Sequence, residues 1–353
     1  MDSITQAVLG ASLQGALLGR WQGRKALLYG AALGTLPDMD VVIHYGDAVA
    51  QMTYHRGFSH SLFVLSALAL VLTLLIRHFQ PNPGYSSRRL FFTLWLVLIT
   101  HPLLDAFTSY GTQLFWPLMP TPTAWASLFI IDPLYTLPLL ITLIVALCSG
   151  LKGKTHKALP IGLALSSLYL ATSLISQHMA VSRVQEQLAQ HSINAENIFA
   201  TPTPFNTLLW RVIVIDGEDY YEALTSWFDQ QPPQLIKLPR GAHLQAALQD
   251  NPSHARLAWF SGDMLRYDQL DDRLVVTDLR LGMTGYHPFR FDFAQLRDGI
   301  WHAQPFIERL GFDRGGNEQL MLLLNRIGDE HIEVPLKAWA DQLAEPAKAT
   351  TPH

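Results

Sequence analysis

The sequence predicts an α-helical multi-pass membrane domain followed by a soluble α+β domain. Residues 1–178 contain one hydrophobic run after another, whereas residues 179–353 carry most of the charge and none of these runs. A chain of 353 residues is also long enough for two domains, and its halves differ too much to share one core. Alternation of apolar and polar residues in the second half is typical of half-buried strands. We therefore place the domain boundary near residue 178.

Six apolar stretches are candidate membrane segments. The last two are the clearest spans, because they are long and continuous. The first contains about 15 residues, or about 22 Å of helix, which is shorter than a hydrocarbon core of about 30 Å. We expect it to be re-entrant or shielded by its neighbours, and its small residues suit close packing against another helix. The segments are residues 4–18, 26–43, 60–76, 90–106, 128–149 and 158–178, and the small residues are Ala7, Gly10, Ala11, Gly15 and Gly19.

Basic residues flank these segments unevenly, which predicts their orientation. Loops 19–25, 77–89 and 150–157 each carry three basic residues, whereas Arg56 is the only one in the two loops on the opposite side. Short cytoplasmic loops are enriched in Lys and Arg. We therefore expect the N-terminus, the charged motifs and the C-terminal domain to face outward, which in a Gram-negative cell means the periplasm. If the first two segments do not cross the membrane, the later loops and the C-terminal domain still lie on the same sides, because a hairpin adds two crossings or none.

Composition excludes several kinds of site. A net charge of -4 and a pI near 6.4 give no basic surface for nucleic acid. The single cysteine, Cys148, lies in an apolar run, so neither a disulfide framework nor a cysteine metal site is possible. Any metal must be held by His, Asp or Glu. The N-terminus lacks the positive region of a cleavable signal, and we expect it to be retained.

The second half predicts a water-soluble α+β domain. Residues 208–215 and 220–224 flank a turn-like Asp-Gly-Glu-Asp sequence, which predicts a hairpin. Residues 273–281 and 289–293 alternate apolar and polar side chains, as half-buried strands do. Helices are expected near residues 242–250, 253–260 and 317–327.

Three short motifs set ionisable residues against the apolar runs of the first half: PDMD at 37–40, HRGFSH at 55–60 and HPLLD at 101–105. A charge next to the bilayer interior is costly unless it is paired, bound to metal or open to water. The three motifs together therefore predict one metal site at the membrane surface.

The third motif gives the most direct pairing. A helix places His101 and Asp105 on one face, four residues apart, within reach of one ion. The alternative is a helix histidine hydrogen-bonded to a neighbouring carboxylate, since this spacing is common. The position of the pair at the end of an apolar segment favours the metal, because an unpaired carboxylate there costs several kcal/mol.

The second motif contains a basic residue, Arg56, between two histidines, His55 and His60. Ser59 is a candidate N-cap for a helix beginning near His60, and Gly57 lets the chain turn so that His55 approaches the same point. Arg56 suits a phosphate or carboxylate, because its guanidinium is planar and forked. A salt bridge to one of the aspartates explains Arg56 equally well.

The first motif places two carboxylates close together. Asp38 and Asp40 would repel each other unless cations lie between them, although a turn that caps the next helix would need one of them. For Asp2, Gln6 and Asp132 we expect helix capping or support of the ligands rather than ligation.

Six candidate ligands exceed one tetrahedral site. They are hard or borderline donors, suited to zinc and also to manganese or iron. A dinuclear site with bridging carboxylates and a metal-bound hydroxide as nucleophile is the natural interpretation. The candidate ligands are Asp38, Asp40, His55, His60, His101 and Asp105.

Four elements occur in the order of a known family. They are Met1-Asp2 with Thr5, Pro37-Asp38-x-Asp40, His55-Arg56-Gly57-x-Ser59-His60 and His101-x3-Asp105-x2-Thr108-x-Tyr110-Gly111. This set, within residues 1–135, resembles the bacterial membrane-bound metal-dependent hydrolase family, some members of which are described as LexA-binding, inner-membrane-associated hydrolases. The resemblance implies a zinc-type hydrolase with the same six ligands and a His-x3-Asp element similar to that of zinc-dependent phospholipase C. Gln6 departs from the family, which often has His there.

The leading functional hypothesis is an integral inner-membrane metal-dependent hydrolase that attacks a phosphoester, with phospholipid as a candidate substrate and membrane lipids as partners. Its expected catalytic residues are Asp40, Arg56, His60 and Asp105, with Arg56 holding a phosphate oxygen. A transporter or sensor would use the same ligands for a permeating or regulatory ion, but transport sites usually lie near the bilayer midplane. The other alternative is a membrane scaffold with a structural metal.

Overall fold

The computed structural model describes residues 1–151, 157–311 and 315–345. Two basic residues used to predict orientation, Lys152 and Lys154, lie outside the described residues. The chain forms two compact units. The helical unit comprises Met1–Ile43 and His55–Leu174, and the sheet unit comprises His44–Tyr54 and Ile175–His353.

The helices of the first half have clear bounds. In chain order they are α1 (Ser3–Gln22), α2 (Lys25–Thr35), a 3-10 helix (Leu36–Val42), α3 (Ala48–Tyr54), a 3-10 helix (Phe58–His60), α4 (Leu62–Phe79), α5 (Ser87–Ala106), α6 (Pro133–Ser149) and α7 (Ala158–Gln190). In the part of the chain that the structure describes, α4, α5 and α7 are long and apolar enough to cross a membrane, and α6 is a shorter apolar helix.

The sequence predicted six membrane segments, whereas three of the described helices are long and apolar enough to cross a membrane. The predicted segment 26–43 fails because α2 contains only 11 residues before the chain turns into a 3-10 helix with a proline in its first turn. The first segment forms a 20-residue helix, but it buries polar side chains such as Gln6 and Gln14. Its prediction as a helix shielded by its neighbours agrees with this burial.

Glycines bring α1 and α2 into backbone contact. A Cβ atom on Gly30 would lie 2.3 Å from the carbonyl oxygen of Gly10, and one on Gly34 would lie 2.7 Å from that of Gln6. Real Cβ atoms do not approach so closely, so only glycine fits here. The prediction that small residues of the first segment pack against another helix is confirmed for Gly10.

The sheet unit contains two four-stranded antiparallel sheets. One has the strand order β1-β2-β3-β4 and the other β5-β6-β7-β8. The strands are β1 (Asn197–Pro202), β2 (Leu209–Asp216), β3 (Asp219–Ser226), β4 (Ile236–Pro239), β5 (Leu265–Leu270), β6 (Arg273–Asp278), β7 (Arg290–Arg297) and β8 (Ile300–Arg309). The remaining helices are a 3-10 helix (Ala242–Leu248), α8 (Pro252–Ser261), α9 (Asn317–Arg326), α10 (Leu336–Asp341) and a 3-10 helix (Gln342–Ala344).

The predicted hairpin is the β2–β3 pair, in which Asp216 lies opposite Asp219. The two alternating segments form β6 and β7, and the three predicted helical regions are helical. The prediction missed four strands: β1, β4, β5 and β8. In β5 the reason is chemical: Arg266 and Asp268 form a buried ion pair, so a buried edge strand has the polar composition of an exposed one.

The sheet unit also holds α3, a helix from the first half of the chain. The guanidinium of Arg256 on α8 donates from Nε to the hydroxyl of Thr53 at 2.6 Å and from Nη2 to the Thr53 carbonyl at 3.2 Å. Its Cζ atom lies 3.5 Å from the ring centroid of Tyr54, a close cation–π contact. The short stretch between two of the charged motifs is therefore anchored within the sheet unit.

His287 makes the stability of the sheet unit sensitive to acid. It is fully buried, and Nδ1–H donates to the carbonyl of Leu281 at 2.8 Å. Burial, reinforced by the positive charge of Arg211, holds the pKa of His287 well below its usual value. The folded protein thus keeps this ring neutral, whereas the unfolded chain protonates it below a pH of about 6.5.

We expect His287→Gln to reduce the loss of stability between pH 7.5 and pH 5. As the pH falls, the unfolded chain binds a proton at this ring and the folded protein does not. The contribution of His287 to the free energy of unfolding is therefore complete above pH 6.5 and falls by about 2 kcal/mol at pH 5. Thermal unfolding of the full chain at both pH values measures this. The exposed His302→Gln is the control, and equal acid losses in both variants would contradict the prediction.

Candidate metal centre

Four ionisable side chains meet at one end of the helical unit. Asp38 comes from the 3-10 helix after α2, His60 from the 3-10 helix before α4, and His101 and Asp105 from the last turns of α5. One ligand atom from each lies within 4.8 Å of the others. We call these four residues the His/Asp cluster.

The distances within the cluster suit a single small cation. His101 Nε2 lies 3.2 Å from His60 Nε2, 3.3 Å from Asp38 Oδ1 and 3.5 Å from Asp105 Oδ2. His60 Nε2 lies 3.5 Å from Asp38 Oδ1 and 3.2 Å from Asp105 Oδ2. A tetrahedral ion with ligands at about 2.0–2.1 Å requires ligand atoms about 3.3–3.4 Å apart. The observed separations bracket that value.

Hydrogen bonds to the far side of each imidazole orient lone pairs toward the centre. His101 Nδ1–H donates to the carbonyl of Gly34 at 2.6 Å. Ser59 donates its hydroxyl proton to Asp40 and can therefore accept from His60 Nδ1–H at 2.9 Å. In these tautomers both Nε2 atoms carry lone pairs facing each other and two carboxylate oxygens. Four converging acceptors repel unless a cation lies among them.

An unsatisfied oxygen in the cluster supports the same interpretation. Asp105 Oδ2 is buried and accepts no hydrogen bond from the residues described. Its other oxygen accepts from Gln6 Nε2 at 3.1 Å and contacts the amino group of Met1. A buried carboxylate oxygen without a hydrogen bond is costly, and a metal ion would satisfy it. The residues present thus fit a divalent cation.

Asp40 and His55 lie beside the cluster and pair with each other. His55 Nδ1 lies 3.0 Å from Asp40 Oδ1, and Asp40 Oδ2 accepts from the hydroxyl of Ser59 and the backbone N–H of Arg56. Of the six candidate ligands, the structure brings four into the cluster and leaves this pair at its edge. The pair joins the first motif to the second.

The two aspartates of the first motif are held as carboxylates. They lie in the 3-10 helix, outside the three helices long enough to cross a membrane. Burial alone would raise the pKa of Asp38, but the adjacent imidazoles of His101 and His60 outweigh burial and hold the pKa below its usual value. For Asp40, burial is likewise outweighed, chiefly by the hydrogen bond to His55, and the pKa is lowered.

Arg56 is buried against the cluster in a left-handed backbone conformation, with a φ of 60°. Its Nε lies 3.3 Å from Asp105 Oδ2, its Nη1 donates to the hydroxyl of Thr108 at 3.4 Å, and its Cζ lies 4.8 Å from the ring centroid of Tyr110. Of the two sequence interpretations, the salt bridge to an aspartate is therefore present. The arginine places a positive charge at the edge of the cluster.

Among the supporting residues, Ser59 differs from the sequence expectation, whereas Asp2, Asp132 and Gln6 agree with it. Ser59 does not cap a helix: α4 begins at Leu62, and Ser61 is its N-cap. Asp2 caps α1 and Asp132 caps α6, as expected from their positions. Gln6 touches both Asp105 and the carbonyl of His101, so it supports the third motif.

Two partners of the cluster carry no sequence signal that identifies them. Every residue type has a backbone carbonyl, so nothing in the sequence marks that of Gly34. It becomes an acceptor for His101 only through the packing of α1, α2 and α5. The amino group of Met1 reaches Asp105 across 104 residues of sequence. Such contacts depend on the three-dimensional fold.

The first half of the chain matches a known protein family. A family model described as YdjM inner membrane protein matches residues 1–180, a range that contains the His/Asp cluster, Asp40, His55 and Arg56. The chain is 26% identical over 311 residues to a protein of Bacillus subtilis (strain 168) described as uncharacterized protein YfhP, covering 82% of this chain and 89% of that protein. No solved structure matches the chain.

Proposed function

The chain belongs to the YdjM inner membrane protein family, which is the LexA-regulated membrane metal-dependent hydrolase family, and from this premise we propose that it is a metal-dependent hydrolase acting on a phosphoester. The observation that carries the proposal is the convergence of two imidazole nitrogens and two carboxylate oxygens on one point. Two of the apolar helices adjoin this centre in sequence or contain it: α4 begins just after His60, and α5 carries His101 and Asp105, which favours a phospholipid as the substrate.

The proposed chemistry assigns separate roles to neighbouring residues. A divalent ion, with zinc favoured by the two imidazoles, supplies Lewis acidity at a phosphoryl oxygen and activates water when it is bound by Asp38, His60, His101 and Asp105. Arg56 attracts and orients the negative charge of the phosphoester, because a guanidinium matches phosphate geometry. His55, which is held by Asp40, is placed to move a proton at the edge of the cluster.

The number of ions is part of the proposal. A dinuclear site would need Asp40 and His55 to exchange their mutual hydrogen bond for a second ion. A mononuclear site uses the four clustered donors and leaves that pair intact. Metal analysis distinguishes one equivalent from two.

Elemental mass spectrometry of the detergent-purified protein tests the proposal. We expect one or two equivalents of zinc or manganese in the wild type and their loss in the His101→Ala/Asp105→Ala variant, with folding checked for both. A screen of phosphoesters and phospholipids then tests turnover. Absence of stoichiometric metal after reconstitution would remove the hydrolase mechanism and leave the membrane scaffold as the better reading.

We also propose that the His/Asp cluster and the sheet unit face the periplasm. The proposal rests on the basic residues of alternate loops. A C-terminal alkaline phosphatase fusion is expected to be active, since that enzyme folds only outside the cytoplasm. An inactive fusion combined with an active cytoplasmic reporter would reverse the orientation.

Arg56→Ala is expected to retain metal and to lower turnover by about 10²-fold or more, because loss of one preorganised donor to developing charge costs about 10²- to 10³-fold. Its four neighbours in the cluster remain to hold the ion. Arg88→Ala, which removes an exposed arginine at the other end of α5, is the matched control. Full activity of Arg56→Ala on every substrate found would show that the arginine does not hold the phosphate.

A further inference from the structure

A second cavity lies at the opposite end of α1 from the His/Asp cluster. It has a volume of about 810 Å³ and is formed by α1, α2, α4, α5 and the loop after α4. The cluster meets α1 near Gln6, whereas the cavity touches α1 from Gln14 to Gln22. At 1.5 Å per residue these positions lie about 12–24 Å farther along the helix. The cavity is therefore separate from the proposed active site.

The cavity lining is divided into an apolar part and a polar part. Leu72, Leu90 and Leu94 form a hydrocarbon surface, and Gln22 and Lys25 provide polar groups. Its volume falls within the range of about 300–1,000 Å³ found for small-molecule sites. A lining of this kind fits an amphiphile with a hydrocarbon chain and a polar head.

A line of amides and a hydroxyl gives one wall its polarity. Gln14 Nε2 donates to Gln22 Oε1 at 3.2 Å, and Gln22 Nε2 donates to the Tyr85 hydroxyl at 3.3 Å. Gln14 is 2% exposed, and its Oε1 accepts no hydrogen bond from the described residues. A buried amide oxygen left unsatisfied destabilises the protein, so polar atoms of a ligand would stabilise this wall.

The charge around the cavity is positive. Lys25 lines it, and none of the described lining residues is acidic. Arg77 stacks over Tyr85 with its Cζ 5.0 Å from the ring centroid, and Arg89 stacks over Trp21 at 4.7 Å. Both rings belong to the lining. Basic pockets between membrane helices favour anionic headgroups.

We propose that this cavity binds one anionic phospholipid, with its headgroup near Lys25 and Gln22 and an acyl chain along Leu72, Leu90 and Leu94. The lipid is bound and not cleaved, since the His/Asp cluster lies at the other end of α1. The inference needs the chain to lie in a membrane, and it does not depend on hydrolysis.

Native mass spectrometry of the full chain tests the proposal. Protein in neutral detergent is mixed with equal amounts of phosphatidylglycerol and phosphatidylcholine, and the lipid retained per chain is counted. We expect one phosphatidylglycerol to be retained in preference to phosphatidylcholine. Lys25→Gln should weaken that preference about fivefold, as expected for loss of one basic residue near a headgroup. Ala32→Trp, which adds bulk at an exposed lining position, should reduce retention of both lipids.

Arg88→Gln is the matched control, because it removes an exposed charge in the first turn of α5 without touching the cavity. Metal content should be the same in all these variants, which separates this proposal from the hydrolase proposal. Equal retention of the two lipids by the wild type would overturn the inference. So would a Lys25→Gln preference equal to that of Arg88→Gln, and this comparison remains decisive if Ala32→Trp does not fold.

Discussion

Asp105→Asn and Asp38→Asn are both expected to empty the His/Asp cluster, but only Asp105→Asn should strongly destabilise the helical unit. Each change replaces a carboxylate with a neutral amide, so the four-donor set loses a charged ligand. We expect metal affinity to fall by more than about 100-fold, because even partners that only orient a ligand contribute about 10- to 100-fold. Turnover on any substrate found should be lost with the metal.

The two aspartates differ in what else they neutralise. Asp105 is fully buried beside Arg56, whose Nε lies 3.3 Å from Oδ2. Removing one member of a buried ion pair costs on the order of 3–5 kcal/mol, because the other charge is left unpaired. The Asp38 side chain is 24% exposed, and its close contacts are with the Nε2 atoms of the two cluster histidines, which carry lone pairs and no permanent charge. Its replacement should leave the thermal midpoint of the metal-free protein nearly unchanged.

Metal content and thermal midpoint should be measured for both variants beside Asp2→Asn. Asp2 caps α1 through the backbone N–H of Thr5, and Asn is an equally good N-cap. This control therefore changes a nearby carboxylate without disturbing the helix or the cluster. Full metal occupancy in Asp38→Asn would show that the cluster does not bind the ion.

Gly30→Ala is expected to separate α1 from α2 and to weaken the metal centre from a distance. The added methyl group would lie 2.3 Å from the carbonyl oxygen of Gly10, which is a backbone atom, and 2.8 Å from the Cβ atom of Gln14. Overpacking costs about 1–3 kcal/mol, and a backbone obstacle that no rotamer can avoid belongs at the upper end. Gly34 lies one turn farther along α2, and its carbonyl orients His101.

The measurements for Gly30→Ala are the thermal midpoint in detergent and the dissociation constant for zinc in a chelator competition. We expect a lower midpoint and an affinity reduced by about 10- to 100-fold, the effect of losing a partner that orients a ligand. Gly328→Ala is the control, because a Cβ there meets nothing within 4 Å. An unchanged zinc affinity in a variant with a lowered thermal midpoint would contradict the prediction, because it would show that the packing of α1 against α2 does not affect the metal centre.

Local sequence features predicted much of the helical unit and of the candidate site. The spacing of His101 and Asp105 needs only a helix to bring the two side chains onto one face, and α5 provides it. The charge of Asp38 beside an apolar run pointed to the same place, since such a carboxylate requires a partner. The side chains that the structure gathers in the cluster were thus visible as isolated motifs.

What the sequence could not predict depends on long-range packing. Hydropathy does not show where a helix ends inside an apolar run, so residues 26–43 were counted as a candidate span although α2 ends at Thr35. The buried ion pair of Arg266 and Asp268 conceals β5, an edge strand, because polar residues in a strand normally indicate exposure. The placement of α3 with the second half of the chain likewise has no periodic signal, since it depends on single contacts across 203 residues.

That long separation determines when α3 is anchored during biosynthesis. The stretch between Asp40 and His55 leaves the ribosome early, but Arg256, which anchors its end through Thr53, follows 203 residues later. At about 5–20 residues per second the delay is about 10–40 s. The anchoring of α3 therefore waits for translation of the C-terminal half of the chain.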